Sequence, residues 1–89
     1  MMNIQRNQAA RAFGQALKAA RQERGATQEA LAERGEFDRT HPSLLERGLR
    51  TPTFFVIVQL ACALKMEPVA LFTDALTRLR KEGNHESPR

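Results

Sequence analysis

Residues 27–48 read TQEALAERGEFDRTHPSLLERG, and the spacing of caps and stops in this stretch decides the fold. Thr27 stands directly before Gln28, Glu29 and Ala30, so its hydroxyl can cap a helix whose first turn Gln28 and Glu29 favour. That helix is short, predicted over 28–34. After the Gly35-Glu36-Phe37 connection, Asp38 offers a second capping side chain, and Leu44, Leu45 and Glu46 lead to a stop at Gly48. The segment reads as two short helices joined by a tight turn. Upstream, Phe13, Leu17 and Ala20 recur at helical spacing among good helix formers, and Gly25 follows Arg24 where a left-handed cap is expected. A first helix therefore ends near Arg24.

Downstream, Thr51 before Pro52 places a cap ahead of a proline at a first helical position, where the missing N–H costs nothing. The fourth helix is predicted to run through Thr53 to about Leu64. Glu67-Pro68 repeats the proline start, and Val69, Phe72, Leu76 and Leu79 follow at helical spacing down one face. This fifth helix is expected to reach Lys81. Residues 83–89 are polar and contain Pro88, which predicts a flexible tail. No alternating apolar and polar run suggests a strand, and no repeat is visible. With 89 residues there is material for one core but not two. The expected fold class is all-α, with five helices in a single domain over 1–82.

Composition excludes more than it assigns. The chain carries 14 Lys and Arg against 10 Asp and Glu, a net charge of +4, and nine of the 14 precede Thr51. An excess this small suits a solvated surface better than a dedicated anion-binding face, so placement must carry the argument. The lone Cys62 cannot form an internal disulfide, and no basic segment followed by an apolar run opens the chain, so the expected setting is a reducing cytoplasm. The longest uncharged stretch, 51–64, falls short of the roughly 20 apolar residues that a bilayer span needs. No membrane partner is expected. One cysteine and two histidines, at no spacing that resembles a metal site or a triad, argue against an enzyme, a metal and a cofactor.

Two short helices with a third behind them can push the second of the pair into the major groove of DNA. Across residues 13–72 the chain resembles the lambda-repressor-like (XRE-type) helix-turn-helix family. The resemblance rests on Phe13, Leu17, Arg21, Gly25-Ala26-Thr27-Gln28-Glu29, Leu31-Ala32-Glu33, Glu46-Arg47-Gly48 and Pro52. The stretch DRTHPSLLERG at 38–48 is also similar to its counterpart in controller proteins of restriction-modification systems. What the resemblance implies is a regulator of transcription, repressor or controller, that binds double-stranded DNA as a homodimer on an inverted-repeat operator. The alternative on the same fold is a protein-binding module, antitoxin-like or an adaptor.

The resemblance also assigns residues. Gln28 and Thr27, at the start of the second helix, would clamp the phosphate backbone. Arg39, Thr40, His41, Ser43 and Leu44 match the positions that face base edges, with Arg39 suited to guanine O6 and N7. Arg47, Arg50 and Thr53 would hold flanking phosphates. Arg21 and Glu46 match a partly buried salt bridge between the first and third helices.

Two departures bear on the recognition element. Relatives carry glycine in the turn one place before an apolar residue, whereas here Glu36 precedes Phe37 and Gly35 stands earlier. A slightly altered turn is expected, since a left-handed Glu36 would be strained by about 1 kcal/mol. Pro42 disfavours helical angles at His41, so regular helix is expected to begin near Pro42.

On the fourth helix, Phe54, Ile57, Ala61 and Leu64 match a core stripe, while Phe55, Val56, Gln59 and Cys62 would face a second copy. Val69, Phe72, Leu76 and Leu79 on the fifth helix would extend that dimer interface.

Overall fold

The structure, a computed structural model, describes residues 4–85. Its five helices are α1 (Arg6–Glu23), α2 (Gln28–Gly35), α3 (His41–Glu46), α4 (Phe54–Ala63) and α5 (Pro68–His85). No strand occurs among the described residues. Each helix supplies one leucine that is sealed completely from solvent: Leu17, Leu31, Leu45, Leu60 and Leu71. Phe13 and small residues such as Ala16, Ala20 and Ala61 fill the space between them. Truncating any of the five leucines to alanine removes about 2 to 5 kcal/mol, so the core depends on every helix at once.

Local chemistry accounts for most helix ends. At the C-terminus of α1, Gly25 takes a φ of 65° and donates to Gln22 O, while Ala26 donates to Arg21 O at 3.1 Å. Those two bonds satisfy carbonyls that the last turn leaves open. Thr27 caps α2 by accepting from the Ala30 N–H at 3.0 Å. The equivalent residue for α4 is Thr53, not Thr51: its extended backbone and its hydroxyl, which accepts from the Val56 N–H, place it at the cap. Pro52 thus precedes the helix, because Thr53 reaches the free amide two residues nearer.

α5 packs antiparallel along α1, burying Leu71 and Ala75, and an Arg11–Glu82 ion pair joins their far ends. The helix continues past the expected stop at Lys81 to His85. Gly83 weakens a helix by about 1 kcal/mol without ending it, and Glu82 is anchored to α1. Three residues placed in the tail are therefore helical, and the remaining 86–89 lie outside the described residues. No single helix among the described residues is long and apolar enough to cross a membrane.

The turn between α2 and α3 keeps its geometry by placing Glu36 itself in the left-handed region, at φ 59° and ψ 41°. Phe37 is the physical reason. Its ring folds back over Gly35, where an added Cβ would lie 2.3 Å from the ring edge. Glycine is thus required under the aromatic ring, and Glu36 accepts the strain, held by its N–H to Glu33 O and by Phe37 N–H to Ala32 O at 2.8 Å.

Candidate nucleic-acid interface

Glu46, in the last turn of α3, holds the two-helix unit together. Arg21 of α1 grips its carboxylate through Nε at 2.6 Å and Nη2 at 3.0 Å, and Gln28 donates to it from the first turn of α2 at 2.9 Å. The Arg21 guanidinium also donates to Ala26 O at 2.8 Å. The Arg21 side chain is 13% exposed and that of Glu46 only 3%. The carboxylate raises the Arg21 pKa further above its ordinary range, chiefly through the hydrogen bond. One buried carboxylate therefore fixes α3 against both helices behind it, and the amide of Gln28, expected on phosphate, is oriented by that network.

With Pro42 and Leu45 buried, the other side of α3 faces outward. Pro42 occupies the first turn, and the helix begins one residue before it, at His41. Arg39 and Thr40 stand exposed in the preceding turn, and Ser43 and Leu44 are half-buried on the helix. The His41 ring meets the edge of Phe37 with centroids 5.3 Å apart. Arg47 and Arg50 are exposed at the far end. The hydroxyls of Thr27 and Thr53 accept cap hydrogen bonds from backbone amides, which leaves each O–H free to donate beside a helix N-terminus.

Asp38 does not cap α3 directly but organises the turn, accepting from the Thr40 hydroxyl at 2.6 Å and the Thr40 N–H at 3.2 Å. These bonds hold its carboxyl below the ordinary 3.8. Because the folded value lies below the unfolded one, the turn's stabilisation is complete above about pH 4 and is lost as pH falls through the depressed value. Asp38→Asn should therefore flatten the loss of stability below about pH 4, as read from urea midpoints; equal slopes for the two proteins would remove Asp38 from this role.

A family profile described as a helix-turn-helix domain matches residues 12–74. The chain belongs to this family. It is a DNA-binding transcriptional regulator of the XRE, lambda-repressor-like kind. An HTH-type transcriptional regulator of Sinorhizobium fredii, y4dJ, is 43% identical over 53 residues, which cover 60% of this chain and 69% of y4dJ. Among solved structures, the restriction-modification controller protein C.AhdI from Aeromonas hydrophila is 40% identical with a TM-score of 0.68, over 71% of this chain and 96% of the controller. A second controller, C.Esp1396I, solved as a tetramer with its natural 35 base-pair operator, is 28% identical with a TM-score of 0.73, over 80% of this chain and 93% of that one.

On this helix-turn-helix regulator the apolar residues of α4 and α5 divide differently from expectation. Phe54, expected in the core, is 82% exposed. It opens α4 immediately after the cap, beyond the reach of the core layer. Val56, expected at a dimer interface, packs against the core, and Gln59 donates to Gly35 O at 3.1 Å, because this face of α4 lies on α2. Leu76 and Leu79 are half-buried. Phe55, Cys62, Val69 and Phe72 remain exposed. Phe54, Ile57, Val58, Pro68, Val69 and Phe72 line an open apolar groove of about 610 Å³ between α4 and α5.

Sequence reasoning missed Glu29, whose exposed carboxylate bonds Arg39, and Gly14, which lets α1 approach α3. Neither contact has a local signal, since each joins different elements.

Proposed function

We propose that this regulator binds an inverted-repeat operator as a homodimer, reading base edges with the residues around Arg39. The observation that carries this reading is the outward face that begins at Arg39, held rigidly from behind by the bonds of Glu46 to both Arg21 and Gln28. A preorganised element of this kind can enter a major groove without first being ordered. The exposed Arg47 and Arg50, with the N-termini of α2 and α4, suit the sugar-phosphate backbone on either side. Likeness to a controller solved on its operator supports the DNA partner.

The exposure of Phe54, Phe55 and Phe72 supports a dimer, because a small domain exposing three phenylalanines is poorly protected from association. Two copies related by a two-fold axis would address half-sites about 34 Å apart. The order of effects among substitutions tests the reading. Arg39→Ala should lower discrimination between operator and altered sites by about 1 to 3 kcal/mol, whereas Arg50→Ala should weaken all DNA alike and flatten the salt slope. Binding-site selection followed by mobility shifts at several salt concentrations measures both. Equal losses on selected and random DNA for Arg39→Ala would remove it from base readout.

A further inference from the structure

Arg39 has a partner on the outward face. Its Nη2 donates to Glu29 Oε2 at 2.8 Å, and the two side chains are 82% and 75% exposed. Glu29 sits in the first turn of α2 and Arg39 in the turn before α3, so the pair spans the two helices of the motif on the solvent side. An ion pair this exposed contributes little to folding. A carboxylate here also opposes a polyanion, and the charge is therefore a cost to unselective DNA binding. Besides its favourable place in the first turn of α2, Glu29 acts on Arg39.

A guanidinium has five N–H donors and reads guanine with two of them, so engagement by Glu29 leaves enough for O6 and N7. Resting on the DNA-reading assignment above, we infer that Glu29 is a positioning residue for base readout that restricts Arg39 to guanine. It biases the guanidinium toward one orientation before DNA arrives. When the base is wrong, the alternative for Arg39 is to swing onto a phosphate, which strands the Glu29 carboxylate beside the polyanion. Glu29 thereby lowers affinity for wrong sequences more than for the right one.

Glu29→Gln keeps the shape and removes the charge. Its expected signature is tighter binding to random DNA together with a loss of discrimination of about tenfold. The loss falls at the guanine where replacement by 7-deazaguanine, which lacks the N7 acceptor, marks the Arg39 contact. In an Arg39→Ala background the same substitution leaves discrimination unchanged, and in either background the lost first-turn charge lowers the thermal midpoint by no more than a few degrees. Unchanged discrimination for Glu29→Gln, or an equal loss with and without Arg39, overturns the inference. Wild-type protein that fails to distinguish any selected sequence from random DNA overturns both the inference and the assignment beneath it.

Discussion

Arg21→Ala is expected to destabilise the fold by about 3 kcal/mol or more, since removing one partner of a buried pair leaves an uncompensated charge. The stranded group would be the Glu46 carboxylate, 3% exposed, with only the Gln28 amide left to it. Ala26 O would lose its guanidinium donor as well. For a domain of this size each kcal/mol shifts the thermal midpoint by about 4 to 8 °C, so a drop of roughly 15 °C is expected. Glu46→Ala should cost less: the Arg21 side chain, 13% exposed, keeps its bond to Ala26 O and can reach water.

Replacing both residues by apolar ones, Arg21→Met with Glu46→Leu, should recover most of the loss, because a well-packed apolar pair can equal a buried ion pair. Denaturant midpoints of the single and double variants give these quantities. A double variant as unstable as the sum of its parts would refute the stranded-charge account.

The elements that could be read from the chain are those whose determinants lie within one turn of one another. Thr27 and Gly25 act on amides and carbonyls a few residues away, so α2 and the end of α1 follow from local rules. The same rules fail at TPT, 51–53, where either threonine could cap and only the later one does. Periodicity finds a helical face but does not say what covers it. Phe54 fits the core stripe of α4 yet opens that helix beyond the core layer, and Val56 and Gln59 already contact the core and α2. The turn at 35–37 shows the limit from another side. A displaced glycine suggests a changed backbone, whereas side-chain packing that no propensity rule encodes, the ring of Phe37 over Gly35, leaves the left-handed position to Glu36. Around Arg39 the residue types proposed for base readout come from the chain alone, but the Glu29 pairing depends on how α2 and α3 are juxtaposed.

Gly14→Val should destabilise the protein by about 3 kcal/mol and impair operator binding further. Sequence alone argues for the opposite sign in the milder Gly14→Ala, since exchanging glycine for alanine inside a helix gains about 1 kcal/mol. Packing reverses it. A Cβ at Gly14 would meet Leu45 O at 2.4 Å and Glu46 O at 2.7 Å, both backbone atoms of α3 that cannot rotate away. To make room, α3 must move off α1, and any such shift drags the Glu46 carboxylate from Arg21 and Gln28. The turn that holds Arg39 leads directly into this short helix, so loss of stability and loss of operator affinity should appear together. Gln15→Ala, on the exposed side of α1, provides the control and should change neither. Binding measured at low temperature, where the variant is fully folded, separates displacement of α3 from simple unfolding. A Gly14→Ala protein at least as stable as the parent would show that α1 and α3 slide apart without cost. The rigid support argued for Arg39 would then be absent.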